Sequence, residues 1–294
     1  MMNTALEALK QEKITIETLP AIREAFSHYK GRRCDLSAGV ALFWRDHYRI
    51  SFVRVGDCIS LCYSGKRLTL PQGKHADDAL RLLLASGRPL TLAGLGEEDV
   101  KRVLALCPEA TVKSHGRDYC DYLYDAEDLK TLAGRRFSGQ RNHINKFKKL
   151  YPDARFEPIT ADNLSAALDF CRDYFENYGK KTDVSDYEYA ALRYQLENWE
   201  AYGQLGGLLL DGDRAIALST GEVVGDTLIV HTEKADIRYA GVYPMMVKSF
   251  ACAFATDGVR YINREEDLGD EGLRTSKLSY HPVALLEKFT VTLS

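Results

Sequence analysis

The chain has 294 residues, enough for two domains of average size or one large one. Hydrophobic residues make up 45% and charged residues 28%, the balance of a soluble globular protein. A net charge of -3 excludes wholesale coating of a nucleic acid, so any grip on an anion must be local.

No run of about 18 apolar residues occurs, so no membrane span is expected. The opening MMNTALEALKQEKITIETLP lacks the apolar core of a signal peptide, and a cytoplasmic location follows as an expectation. The seven cysteines (Cys34, Cys58, Cys62, Cys107, Cys120, Cys171 and Cys252) are irregularly spaced. No CxxC pair or zinc-type Cys/His spacing occurs, so reduced, mostly buried thiols are expected and no metal site.

In chain order, Thr4 to Tyr29 has helical periodicity. His47 to Val55 alternates as a strand, Gly56-Asp57 turns the chain, and Cys58 to Tyr63 returns it. A helix spans Pro71 to Gly87, with Gly87 at its C-cap. PLTLAGL is a strand, EEDVKRVLALCP a helix and YCDYLY a strand. Two helices follow a basic segment: ADNLSAALDFCRDYFENYGK and YEYAALRYQLENWEAY. Three antiparallel strands then run from Gly206 to Ala235, turning at Asp211-Gly212 and Gly225-Asp226. A Pro-started helix (Pro244 to Gly258), the strand VRYINRE, the helix EGLRTSKLSY and the strand LLEKFTVTL complete the chain. The same architecture thus recurs, and two similar α/β (α+β) domains are expected, at residues 1–134 and 135–294.

Between them lies RRFSGQRNHINKFKK, with six Lys or Arg and no carboxylate. As a helix it places Ile144 and Phe147 on one face and Arg141, Lys148 and Lys149 near the other. Arg136 precedes it, and Lys180-Lys181 extends the basic character. This face suits phosphates, with steep salt dependence. A solvated connector is the bland alternative.

Asn263 to Lys277, NREEDLGDEGLRTSK, is the densest polar run. Crowding of Glu265, Glu266, Asp267, Asp270 and Glu271 would raise some of their pKa values and make one a general base. Arg264, Arg274 and Lys277 suit charge stabilisation or structural ion pairing. His231 and Glu233, two apart on a strand, share a face, which makes His231 a second base candidate or a hydrogen-bonded core histidine. His281 beside Pro282 fits a turn as well as chemistry. No G-x-S-x-G elbow or partnered cysteine offers a nucleophile, and direct attack by an acceptor needs none.

GRRFSGQRNHINKFKKLYPD, VHTEKADIRYAGVYP and YINREEDLGDEGLRTSKLSYHP resemble, in order, the bacterial family sharing the C-terminal domain of phosphatidylglycerol lysyltransferase. The resemblance covers roughly residues 125–285. It implies two tandem GNAT-like acyltransferase domains, each a mixed, mostly antiparallel sheet flanked by helices. It also implies aminoacyl transfer from charged tRNA, to a lipid hydroxyl in the lysyltransferase and to a peptidoglycan precursor in the similar Fem-type enzymes. Here the acceptor stays open among a small molecule, a lipid and a peptide, as does the oligomeric state. The Arg238 to Pro244 loop resembles the GNAT pyrophosphate loop at Arg238 and Gly241 but departs from it at Tyr243 and Pro244. An acyl-CoA-dependent N-acyltransferase using acetyl-CoA or another acyl-CoA is therefore the alternative. A non-catalytic binding or regulatory protein retaining the fold is a third reading.

Overall fold

The structure is a computed structural model that describes residues 9–86, 89–179 and 182–294. Gly87, Lys180 and Lys181, singled out in the sequence, lie outside the described residues.

In chain order the elements are β1 (Gln11–Lys13), α1 (Leu19–Ser27), α2 (Ala38–Phe43), β2 (Ile50–Val55), β3 (Cys58–Tyr63), β4 (Arg67–Leu68), α3 (Ala76–Ala85), β5 (Leu90–Leu95), α4 (Glu97–Leu106), β6 (Thr111–Ser114), β7 (Asp121–Asp125) and α5 (Ala126–Thr131). They continue with α6 (Ser138–Leu150), β8 (Arg155–Pro158), α7 (Leu164–Tyr178), α8 (Asp183–Glu197), α9 (Trp199–Tyr202), β9 (Leu205–Asp211), β10 (Arg214–Val224), β11 (Thr227–Ala235), α10 (Val242–Phe254), β12 (Tyr261–Asn263), α11 (Glu271–Leu278), β13 (Ala284–Leu286) and β14 (Phe289–Leu293). The periodicity read as one helix from Thr4 resolves differently in its described part. Residues 11–13 pair with β2, a Thr15–Thr18 turn follows, and Pro20 stands in the first turn of α1.

Two seven-stranded sheets form, in the orders β1-β2-β3-β4-β5-β14-β6 and β13-β7-β12-β11-β10-β9-β8. Each contains an antiparallel run and a parallel pair joined through a helix: β4 and β5 through α3, and β11 and β12 through α10. The turns at Gly56, Gly212 and Gly225 all have positive φ, as tight two-residue hairpins require. These are tandem GNAT-like folds with mixed, mostly antiparallel sheets and flanking helices.

The two compact units are not consecutive in sequence. One takes the described part of Met1–Tyr122 with Glu265–Arg274 and Leu285–Ser294. The other takes Leu123–Arg264 and Thr275–Ala284. The single division at residues 134 and 135 is thus replaced by an exchange of segments. β14 leaves the second half of the sequence and pairs with β5 and β6, where Val291 and Leu293 join Leu90, Leu92 and Leu95 in the first core. β7, from the first half, pairs with β12. An amphipathic strand goes to whichever sheet edge receives its apolar face, and alternation alone does not name that edge.

In the second unit α6 and α10 pack over the sheet, with Phe147, Val242, Met246, Leu209 and Ile216 in one core. Gly241 is the N-cap of α10 at φ 87, and a Cβ there would land against the His143 carbonyl of α6. Only glycine meets both demands.

Candidate functional site

The polar run from Asn263 to Lys277 divides between the units after Arg264 and again after Arg274. In the first unit, Glu265 and Leu268 have positive φ, 55° and 50°, on either side of Glu266 and Asp267. Such backbone costs on the order of 1 kcal/mol or more and persists only where neighbours over-determine it. Here Tyr122 N–H donates to Glu265 O at 3.2 Å, and Leu268 N–H donates to Asp118 O at 2.9 Å.

Glu266 enters a buried charge cluster. The Lys288 ammonium lies 2.8 Å from Asp121 Oδ1, 2.9 Å from Asp35 Oδ2 and 3.3 Å from Glu266 Oε2. Cys34 completes it: its N–H donates to Asp121 Oδ2 at 2.7 Å, and its Sγ lies 3.4 Å from Lys288 Nζ. Asp121 and Lys288 are almost fully buried, whereas the Glu266 side chain keeps 24% exposure. Three carboxylates thus share one ammonium. Burial, opposed by Lys288 and reinforced by Asp121, Glu265 and Asp35, pushes the Glu266 carboxyl up to about 7. Nearby Tyr48 is 45% exposed, and its hydroxyl pKa is raised by burial and then by the Glu266 charge. The Cys34 thiol is pushed well up by burial and by Asp121, so it is no nucleophile.

Cys34, Asp121 and Glu266 are also the one group of metal-type donors found among the described residues, with ligand atoms within 4.8 Å of one another. Lys288 already supplies the positive charge at that spot.

Asp267, one residue along, is locked. It accepts from Arg274 Nε at 3.0 Å and Nη2 at 2.7 Å, Arg117 Nη1 at 3.1 Å, Tyr122 OH at 2.5 Å and Gly269 N–H at 2.9 Å. The Arg274 hydrogen bonds hold its carboxyl below the usual carboxylate range. This fixed anion has no proton to exchange near neutrality, which argues against Asp267 in proton transfer. Arg274 also pairs with Asp118 at 2.6 Å, leaving its charge committed. Asp270 acts as a backbone cap, accepting from Leu273 N–H at 2.9 Å, and Glu271 is exposed at the start of α11.

In the second unit, Arg264 pairs with Glu233 at 2.8 Å and stands over the Tyr280 ring at 4.8 Å. Lys277 is buried and donates to the Arg264 carbonyl at 2.5 Å, so it supports the backbone rather than facing a ligand. The His231 side chain is largely covered and lies beside Glu222 at 3.2 Å, the arrangement of a core histidine. His281, at φ 54, approaches the Arg136 carbonyl at 3.1 Å and serves a turn.

The basic residues separate as well. Lys148 and Lys149 are exposed on α6. Arg141 instead donates to the carbonyls of Leu132 and Gly134, tying α6 to the segment before it. Arg136 pairs with Asp128. Arg238 grips Asp236 through Nε and Nη2, and Tyr178 OH donates to the same carboxylate at 2.7 Å.

The family model described as "Phosphatidylglycerol lysyltransferase, C-terminal" matches residues 26–292. The chain belongs to this family. A conserved protein of unknown function from Bacteroides thetaiotaomicron is 33% identical to it, with a TM-score of 0.88 over 97% of this chain and 100% of that one. L-PGS from Bacillus licheniformis shares the fold at 14% identity, with a TM-score of 0.64 over 96% and 92% of the two chains. An uncharacterized protein of Mycoplasmoides gallisepticum is 24% identical over 182 residues, which is 58% of this chain and 55% of that relative. Family and fold thus resemble the C-terminal part of phosphatidylglycerol lysyltransferase. No described helix is long and apolar enough to cross a membrane.

Sequence reasoning singled out Glu266 but missed Lys288, Asp121, Asp35 and Cys34. A signal existed: Asp121 is the lone charge in the apolar string YCDYLY, and Lys288 stands with Glu287 inside the otherwise apolar LLEKFTVTL. A charge in such a string needs a partner.

Proposed function

We propose that this family member transfers an aminoacyl group from aminoacyl-tRNA to an acceptor nucleophile by direct attack. The observation that carries this reading is Glu266, a partly accessible carboxyl poised near 7 among buried charges. A base at that pKa takes the proton of an attacking amine or hydroxyl at neutral pH and returns it to the leaving ribose hydroxyl. Lys288, Asp121 and Asp35 set its proton affinity.

Two further features support an aminoacyl ester over coenzyme A. Lys148 and Lys149 offer exposed charge on α6 for backbone phosphates. The loop before α10 is poorly equipped for pyrophosphate. Arg238 is engaged by Asp236, Val242 N–H is spent on the Tyr239 carbonyl, Pro244 has no N–H, and α6 backs Gly241. The acceptor remains any small molecule, lipid or peptide bearing a nucleophile.

The test is filter binding of charged and uncharged tRNA over a salt series, for the parent and for Lys148→Glu with Lys149→Glu. Charged tRNA should bind the parent more tightly, and the double variant should bind weakly with a flatter salt slope. Equal affinity and slope for both proteins would sink the tRNA reading. A thermal shift with acetyl-CoA, about 2.7 kcal/mol at 100 times its Kd, would move the donor to acyl-CoA. Silence in both experiments would leave a non-catalytic binding role.

A further inference from the structure

The first unit carries a cluster of aromatic rings that proton transfer at Glu266 leaves unused. Where α2 ends, residues 44–49, WRDHYR, turn the chain into β2. His47 stands edge-on to Tyr48 at 4.6 Å, and the Trp44 ring lies 5.6 Å from His47 and 5.7 Å from Tyr48. Tyr48 is 45% exposed, and His47 is exposed beside it. Backbone hydrogen bonds fix this turn. Tyr48 N–H donates to the Trp44 carbonyl at 3.0 Å, and Ile50 N–H donates to that of Arg45 at 2.6 Å. Ser64, just past β3, donates its N–H to Arg49 O at 3.0 Å and its hydroxyl to Tyr48 O at 3.2 Å. That tie brings the turn of residues 64–67 to the same edge. Together the two turns hold Arg45, Arg49, Lys66 and Arg67, with Asp46 their single carboxylate. Asp46 pairs with Arg45 at 3.2 Å, and Arg49, Lys66 and Arg67 are exposed.

We propose that this edge is a stacking platform for the unpaired 3′ end of the donor tRNA, with a base on Tyr48 and phosphates against Arg49, Lys66 and Arg67. The inference rests on the aminoacyl-tRNA reading and names where that donor docks. Ring and charge together select the ligand. A flat aromatic face accepts any unpaired base, and cations beside it meet the backbone charge. A bilayer is the poorer match, because neither turn contains Leu, Ile or Val to bury among acyl chains. Position fits as well. The Tyr48 hydroxyl pKa is raised by burial and then by the charge of Glu266, which sets the ring beside the proposed base. A base stacked there would bring the terminal ribose ester toward Glu266. The hydrogen bonds that fix the turn also spare the ordering cost that a loose loop would incur on binding.

Trp44 reads the contact directly, because the chain's other tryptophan, Trp199, is buried. An uncharged RNA hairpin ending in an unpaired 3′ CCA, titrated into the full-length protein, should quench tryptophan fluorescence saturably. The same hairpin with a blunt end should bind at least about five-fold more weakly. Tyr48→Ala should weaken the overhang hairpin by a similar factor, whereas Tyr48→Phe keeps the ring and should keep the affinity. Trp44→Phe should abolish the quench and retain binding, read by anisotropy of a labelled hairpin. Lys66→Glu with Arg67→Glu should weaken binding and flatten its salt dependence. Equal binding of both hairpins, a quench that survives Trp44→Phe, unchanged affinity in Tyr48→Ala, or tighter binding to phosphatidylglycerol vesicles than to the hairpin would each overturn the platform. A silent Trp44 in a protein that still prefers charged tRNA would sink the platform and leave the donor reading. Overhang-dependent quenching with no preference for charged tRNA and no transfer would leave the platform and sink the donor reading instead.

Discussion

Replacing Glu266 with Gln should stabilise the protein above pH 7, which is unusual for removing one partner of a buried ion pair. The folded-state carboxyl titrates near 7 against an ordinary 4.5. Between those values the folded chain binds the proton that the unfolded chain has released, so stability falls as pH rises through this window. The full cost, at 1.36 kcal/mol per pKa unit, is about 3 kcal/mol above pH 7. Gln keeps the shape and cannot ionise. Lys288 retains Asp121 at 2.8 Å and Asp35 at 2.9 Å, so the ammonium is not orphaned. Loss of the 3.3 Å contact offsets part of the gain. Urea unfolding followed by circular dichroism should place Glu266→Gln about 1–3 kcal/mol above the parent at pH 8, narrowing to under about 1 kcal/mol at pH 5. A variant less stable than the parent at pH 8, or parallel pH curves, would mean that Glu266 is an ordinary ionised partner of Lys288. The acid–base role assigned to it would then fail.

Two other outcomes test the framework around this carboxyl. Asp267→Asn should cost about 3–5 kcal/mol at neutral pH, because it leaves Arg274 and Arg117 without their buried anion. The parent's share of that stability is present above about pH 4 and is lost as acid protonates the carboxylate, so the difference between the two proteins should shrink on acid titration. Gly241→Ala should lower stability by about 2 kcal/mol or more in thermal unfolding, since it meets both a left-handed backbone and the His143 carbonyl. A neutral Ala there would mean that α6 does not pack against the α10 N-terminus.

Much of the local structure was legible because it is local. Alternating residues marked β2, β3 and β9 to β11, and glycines placed their turns. What the sequence withheld depends on partners far along the chain. Strand β14 shows one apolar face in its own letters, but which edge accepts it depends on Leu90 to Leu95, some 200 residues earlier. The contrast between Glu266 and Asp267 has the same origin. Both stand in one acidic run, and composition assigns them the same chemistry. Asp267 meets Arg117, Tyr122 and Arg274 and becomes a fixed anion. Glu266 meets one ammonium already shared by Asp35 and Asp121 and keeps a proton near neutrality. A crowded acidic run therefore contains both a structural clamp and a proton carrier. The ratio of cations to carboxylates around each oxygen, rather than the density of charge in the sequence, decides which is which.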